Sequence, residues 1–333
     1  MPEGMVGAAT VDKAIAGLSW RQEIAFFLLT TLLLTWPMFL NGAPFYTGDS
    51  ASYLRGGTFG FHTGLQLLDQ WWNPLSGASP ATSTDPKAIV AAAVAESGGV
   101  RSVIYSVTTY LFRWPGQSLI ALGIFQASAV ALAIGFMRSK LAPRADFNGS
   151  LAAAGAVTLV TTAPWYSAYA MPDIFAGVAI AGAIVLTLFF DRIGAAGRIS
   201  LVSVIAYCIA VHGTHLPLAL VVLLAGAIAS FLICRPRLGN AATRALWFAS
   251  PLGLAVMTLL ATSYLAFGEP SLAPKRYPIQ LARSVADGPG AWHLRDHCAT
   301  ERYAICEIFG PNPPRKPGDF LWSRDGVRYR ATP

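Results

Sequence analysis

Charged side chains are scarce in this sequence. They make up 12% of the 333 residues, whereas a soluble globular domain carries about 25%. Hydrophobic residues make up 54%, and the mean hydropathy is +0.50. This balance excludes an ordinary soluble protein and predicts an integral membrane protein. The net charge of +7 comes from scattered basic residues, so it does not indicate nucleic-acid binding.

Cysteine is also rare, with four in the chain. Two lie in apolar segments and are most simply small buried hydrophobes: Cys208 and Cys234. The other two, Cys298 and Cys306, lie in the polar C-terminal segment. Three interpretations of this pair stay open: a disulfide, two free thiols, or a metal site completed by the nearby His293 and His297. We favour the disulfide, and the sequence predicts no separate metal centre.

Apolar segments predict an all-α polytopic fold. Seven are candidates for membrane helices: 24–40, 117–137, 150–169, 173–190, 199–212, 216–234 and 246–267. The first could instead be a signal peptide, but no A-x-A site follows it, so we prefer an uncleaved helix. If the break at 212–216 is a kink and not a turn, the count falls to six.

The placement of basic residues predicts the orientation. The loops 138–149, 191–198 and 235–245 carry Lys and Arg, whereas the turns 166–172 and 212–216 carry neither. Short loops rich in Lys and Arg stay in the cytoplasm. The N-terminal segment 1–22 is therefore expected in the cytoplasm. It is followed by a transmembrane domain over 23–267 and an extracytoplasmic segment over 268–333.

The first outer loop spans residues 41–116. Residues 101–113 are too short to cross a bilayer and favour a helix lying in the interface. Trp71 and Trp72 are typical of the membrane–water boundary. In the C-terminal segment, which we expect to be small and irregular, the residues 320–322 before Asp325-Gly326 suggest a strand and a turn.

Polar residues that could carry chemistry fall at the outer ends of these segments. The candidates are Asp49, Tyr53, Arg55, Arg101, Asp173, His212 and His215. Ionisable residues at the edge of a membrane segment are costly, which makes each a functional hypothesis. Asp49 is the preferred catalytic residue, and its alternative is an N-cap for residues 50–55.

The other candidates also have two interpretations. Asp173 could contact substrate or be an acid favoured by a helix dipole. The two histidines could contact substrate or hydrogen-bond loop carbonyls. Arg55 and Arg101 could bind a substrate phosphate or face lipid phosphates.

The long loop after the first helix, the acid at its start, the interfacial helix and the seven spans resemble the GT-C glycosyltransferases. The pattern is most similar to the bacterial protein-mannosyltransferase and aminoarabinose-transferase-like branch. The resemblance covers roughly residues 24–300 and concerns the shared membrane module. One departure is that Gly48-Asp49-Ser50 offers a single acid where the family often has paired acids. Another is that further spans expected after the seventh do not occur in this chain.

The resemblance implies a reaction. A sugar would pass from a polyprenyl-phosphate carrier to a glycan, lipid or protein acceptor at the outer face of the bacterial inner membrane. Asp49 would be the general base, an arginine would meet the phosphate, and Tyr53 could form an aromatic platform. A lipid-borne donor needs no nucleotide motif, and no other cofactor is expected, although a divalent metal stays possible. The alternative is a non-catalytic membrane protein with an assembly role in cell-envelope glycan production.

Overall fold

The structure is a computed structural model that describes residues 17–72, 102–116, 118–235, 238–267, 269–272 and 278–330. Over these residues it is all-helical and contains no β-strand, which confirms the all-α part of the predicted fold class. The chain divides into two compact units, Met1–Pro274 and Lys275–Pro333. That division lies close to the boundary predicted at 267–268.

The first unit contains helices that we number in chain order. They are α1 (Trp20–Leu34), α2 (Trp36–Asn41), α3 (Gly48–Trp72), α4 (Val103–Leu111), α5 (Ile120–Leu141), α6 (Phe147–Val160), α7 (Ala163–Ala168), α8 (Ile174–Leu188), α9 (Ala195–Ala210), α10 (His215–Cys234) and α11 (Leu238–Phe267). A short 3₁₀ turn, Phe190–Arg192, follows α8.

Three of these helices are long and apolar enough to cross a membrane: α5, α10 and residues Gly239–Ala266 of α11. Three shorter apolar helices accompany them: α6, α8 and α9. Large apolar side chains on their outward faces are exposed, among them Leu159, Val221, Leu232, Leu246 and Met257. Faces of this kind suit lipid and not water, which agrees with a membrane protein. The count of seven spans stays a prediction.

Two predicted spans are wrong as continuous helices. The segment 24–40 is divided at Thr35 into α1 and α2, and Pro37 occupies the first turn of α2. The segment 150–169 is divided after Val160 into α6 and α7, and Pro164 occupies the first turn of α7. Proline has no amide hydrogen, so it fits the first turn of a new helix better than the interior of a long one.

The segment predicted to be the first outer loop contains a 25-residue helix, α3, which was not predicted over this length. Helix α3 packs along α4, and the two backbones approach closely at Gly57. A Cβ atom on Gly57 would lie 2.0 Å from the Ser106 carbonyl oxygen. Helix α4 matches the helix predicted at 101–113, but Tyr105, Ser106 and Thr109 are buried in it, so it forms part of the packed core.

Helix α8 is the central helix of the unit because it packs against α5, α9 and α10. Small residues permit the close packing of α8 against its neighbours. A Cβ on Gly182 would meet Ile205 at 2.9 Å, and one on Gly226 would meet the Thr187 hydroxyl at 2.3 Å. Close approach at small residues is the usual way in which helices pack in lipid.

The second unit contains α12 (Ile279–Asp287), α13 (Pro289–His297), α14 (Ala304–Phe309), α15 (Pro317–Trp322) and α16 (Val327–Arg330). It has its own core, in which Val285, Leu294 and Phe320 are buried. The strand expected at 320–322 is wrong, because these residues form the end of α15, where Phe320 and Leu321 turn into this core. The predicted description of this segment as irregular is corrected to a small helical unit.

A disulfide joins Cys298 and Cys306, with their Cα atoms 5.5 Å apart. This confirms the preferred interpretation of the pair. It replaces the alternatives of free thiols and of a metal site with His293 and His297, because both sulfur atoms are used.

Candidate active site

The segment before α3 is attached to the connection between α7 and α8. The Phe45 amide donates to the Ala168 carbonyl oxygen at 2.8 Å, and the Ala170 amide donates to the Phe45 carbonyl oxygen at 3.0 Å. The Ser50 hydroxyl donates to the Ala170 carbonyl oxygen at 2.9 Å. The ring of Phe45 lies 5.1 Å from that of Tyr169. The residues on both sides of Asp49 are therefore fixed to the same short stretch of backbone.

Asp49 lies in the first turn of α3, one residue after the helix begins at Gly48. Thr47 precedes the helix, and its hydroxyl accepts the Ser50 amide at 3.4 Å, while the Ser50 hydroxyl accepts the Thr47 amide at 3.0 Å. The helix therefore starts two residues before the point at which an N-cap role for Asp49 would place it. Its carboxylate, which is partly buried, lies where the helix dipole favours negative charge.

Tyr53 is one turn after Asp49 on the same face of α3. Its side chain is only 1% exposed, and its ring packs edge-to-face on Tyr105 with a centroid distance of 4.7 Å. Tyr53 therefore offers no open aromatic surface on which a sugar could stack. Tyr53 instead fixes the start of α3 against α4.

A buried amide connects this pair to the α7–α8 connection. The Tyr105 hydroxyl donates to Oε1 of Gln126 at 2.6 Å. Nε2 of Gln126 donates to the carbonyl oxygens of Ser167 and Tyr169, at 2.9 and 2.7 Å. Gln126 is 0% exposed. Gln126 was not among the candidates predicted from the sequence, although a single amide inside an apolar span was a usable signal.

Asp173 lies at the same end of the unit. It directly precedes α8, its side chain is exposed, and it makes no capping hydrogen bond to that helix. Burial raises the pKa of Tyr105 well above its ordinary value, and electrostatic interactions with Tyr207, Tyr53 and Asp173 raise it further. Asp173 is therefore within electrostatic reach of the Tyr53–Tyr105 pair.

The two histidines lie at the turn before α10. His215 is buried, and its Nδ1 donates to the Cys208 carbonyl oxygen at 2.7 Å. Nδ1 of His212 lies 2.8 Å from the Thr214 hydroxyl, and the two imidazole rings are 5.1 Å apart. His215 therefore bonds a backbone carbonyl, as one interpretation expected, but that carbonyl lies in the last turn of α9 and not in a loop. Its ring also lies within electrostatic range of Asp173.

The remaining candidates are less constrained. Arg55 is exposed on α3. Arg101 and the side chains of Trp71 and Trp72 lie outside the described residues. Tyr46, which the sequence analysis did not single out, donates its hydroxyl to the Ser118 carbonyl oxygen at 2.6 Å.

An apolar cavity of about 420 Å³ lies among α5, α8 and α9. Phe125, Phe175 and Tyr207 line it. The Tyr207 hydroxyl is 2.9 Å from that of Thr108 in α4, so one wall of the cavity is tied to the helix that supports Tyr53. An apolar chain fits such a lining better than a polar ligand does.

The opposite end of the unit is held by charged groups. Arg138 pairs with Glu23, and Arg244 pairs with Asp191. Lys140 donates to the Arg192 carbonyl oxygen at 3.1 Å. The predicted cytoplasmic loops therefore meet at one end, which we call the basic end. Asp49, Asp173 and His215 lie at the other, which we call the Asp49 end.

Within the described residues, no group of three or more His, Cys, Asp or Glu side chains is placed to hold a metal ion. Comparison of the chain with models of known families, with curated proteins and with solved structures finds no match.

Proposed function

We propose that the protein is a membrane-embedded glycosyltransferase. It moves a sugar from a polyprenyl-phosphate carrier to an acceptor hydroxyl at the outer face of a bacterial inner membrane. Asp49 is the general base, and the carrier phosphate is the leaving group.

The attachment of the Asp49 segment to the α7–α8 connection carries this proposal. Three hydrogen bonds fix residues 45–50 to residues 168–170, so Asp49 is held on a rigid element. General bases need this kind of positioning, because proton transfer requires close and constant geometry. Asp173 and His215 at the same end supply further polar groups for a sugar or its acceptor.

The reaction assigns a role to each part. Asp49 takes the proton of the acceptor hydroxyl as its oxygen attacks the anomeric carbon, and the bond to the carrier phosphate breaks. An arginine near the start of α3 or α4, Arg55 or Arg101, meets the charge of the departing phosphate. The apolar cavity beside Phe125 and Tyr207 is suited to the first part of the carrier's tail.

Two features support the proposed orientation of the chain in the membrane. Basic residues gather at the end opposite Asp49, as expected for the cytoplasmic side. The Cys298–Cys306 disulfide agrees with a second unit in an oxidising compartment such as the periplasm.

The test is transfer of labelled sugar from a polyprenyl-phosphate donor by membranes that contain the full chain. Asp49→Asn should lower the transfer rate by about 100-fold or more, since general-base catalysis contributes roughly 10²–10⁴-fold. Asp146→Asn is the matched control. Asp146 caps α6 with a bond to the Gly149 amide at 3.0 Å, and asparagine caps equally well. Asp49→Asn membranes with full transfer and normal protein levels would refute Asp49 as the base and favour the assembly role.

A further inference from the structure

We propose that the basic end of the helical unit contains a binding site for an anionic phospholipid. One acyl chain occupies a cavity among α1, α5, α6 and α8, and the phosphate binds at Arg138 and Ser150. This site is separate from the Asp49 end and does not depend on the proposed reaction.

The cavity has a volume of about 470 Å³, within the range of about 300–1,000 Å³ typical of ligand sites. Apolar side chains line most of it: Phe26, Val130, Ala154, Val157, Ile174 and Val178. It follows α6 from its first turn, at Ser150, to the start of α7, at Ala163. An apolar space of this size fits a hydrocarbon chain better than a polar ligand.

The polar side chains in the lining lie together at one end. Arg138 is in the last turn of α5, and Ser150 is in the first turn of α6. Nε of Arg138 and Oγ of Ser150 are both buried and have no hydrogen-bond partner in the protein. The Arg138 side chain is only 8% exposed. Buried polar atoms without partners are costly, so these two point to a ligand that supplies an acceptor.

A phosphate meets that requirement. Arg138 uses Nη2 to pair with Glu23, which leaves its Nε–H for a second acceptor. One phosphate oxygen can accept from this Nε–H while another accepts from the Ser150 hydroxyl, as guanidinium groups commonly bind phosphates.

The surrounding charge favours an anion. Basic residues outnumber acidic ones among the described residues of the basic end, and Arg138 lies in the cavity lining itself. The basic residues of that end are Arg21, Arg138, Lys140, Arg144, Arg192, Arg198, Arg235 and Arg244, and the acidic ones are Glu23, Asp146 and Asp191. Basic pockets between membrane helices on the cytoplasmic side bind anionic headgroups. A zwitterionic phospholipid carries a compensating cation, which this surrounding would disfavour.

Gly177 permits a test that should not disturb folding. It lines the cavity, and a Cβ at this position would have no atom within 4 Å. Gly177→Leu therefore fills the cavity from α8 while improving helix propensity. Gly155 in α6 also has open space around its Cβ but is absent from the cavity lining, so Gly155→Leu is the matched control.

The experiment measures binding of phosphatidylglycerol and of phosphatidylcholine with identical acyl chains to the purified full-length protein by native mass spectrometry. The wild-type protein and Gly155→Leu should retain phosphatidylglycerol in preference to phosphatidylcholine. Gly177→Leu should bind phosphatidylglycerol about tenfold more weakly, because the added side chain occupies space that the acyl chain would fill. Thermal unfolding of Gly177→Leu confirms that it is folded.

Two further variants locate the headgroup. Ser150→Ala should reduce phosphatidylglycerol binding several-fold without loss of thermal stability, because its hydroxyl has no protein partner to lose. Arg138→Gln should abolish the preference for the anionic lipid. Equal binding of the two lipids by the wild-type protein, or unchanged phosphatidylglycerol binding by Gly177→Leu, would overturn the proposal. Inorganic phosphate that displaces the lipid completely at equal concentration would show a headgroup site alone and would refute the role of the cavity.

Discussion

The two ends of the helical unit are held together by different forces. At the Asp49 end, neutral hydrogen bonds join backbone and buried side chains, as at Phe45, Ser50 and Gln126. At the basic end, ion pairs join Arg138 to Glu23 and Arg244 to Asp191. In each ion pair the arginine is buried, but the carboxylate is considerably exposed.

This difference predicts unequal tolerance to change. A buried hydrogen bond that loses one partner leaves a polar group with no access to water. In these ion pairs the carboxylate is in contact with water, so the attraction that is lost with the acid is already weakened by water and salt. The Asp49 end should therefore be rigid and sensitive to substitution, whereas the basic end should be tolerant and sensitive to salt.

The largest effect is expected at Gly57. An added Cβ would lie 2.0 Å from a backbone oxygen of α4, which cannot move away as a side-chain tip could. Gly57→Ala should lower the free energy of unfolding by about 3 kcal/mol, near the upper end for overpacked sites. The measurement is unfolding of the purified protein in detergent. Gly253→Ala in α11, where a Cβ meets nothing within 4 Å, should be neutral or stabilising. Equal effects at the two glycines would contradict the close α3–α4 contact.

A smaller effect is expected at Gln126. Gln126→Leu removes the acceptor of the Tyr105 hydroxyl and the donor to the Ser167 carbonyl oxygen, both of them buried. The cost should be about 2 kcal/mol, within the range for an unsatisfied buried group. Tyr105→Phe in the Gln126→Leu background removes the stranded hydroxyl and should recover part of the loss. If the double variant is no more stable than Gln126→Leu, the hydroxyl is not the source of the cost.

The smallest effect is expected at the basic end. Asp191→Asn removes the anion beside Arg244, but the Asp191 side chain is 64% exposed, so the loss should be below about 1 kcal/mol. Added salt should reduce the difference between variant and wild type. Asp287→Asn, which removes an exposed pair with Arg283 in the second unit, should cost less still. If Asp191→Asn lowers the free energy of unfolding as much as Gln126→Leu does, the two ends do not differ in their tolerance to substitution.

Helix positions followed from the sequence wherever an apolar run was uninterrupted. The spans predicted at 173–190 and 216–234 correspond closely to α8 and α10. The errors occur at Pro37 and Pro164, where an apolar run continues across a proline that begins a new helix. Helix α3 was missed because its glycines and polar residues hide its periodicity, and its partner α4 supplies the packing that stabilises it.

The position of the candidate site was predictable from the sequence, but the contacts that hold its residues in place were not. Asp49, Asp173 and His215 follow apolar segments on one predicted side, and the structure brings them to one end. The bonds that Ser50 and Gln126 make to backbone carbonyls depend on long-range packing, which no local pattern reports. The burial of Tyr53 has the same origin, since the neighbour that covers it is 52 positions later in the chain.

The bond from Ser50 to Ala170 has a consequence for biosynthesis. Its two residues are 120 positions apart, so the ribosome has made about half of the chain before the partner of Ser50 exists. The first turn of helix α3 therefore lacks its contact with the α7–α8 connection until that connection has been synthesised. A slow step or a chaperone during that interval would act on the Asp49 segment before any other part of the candidate site.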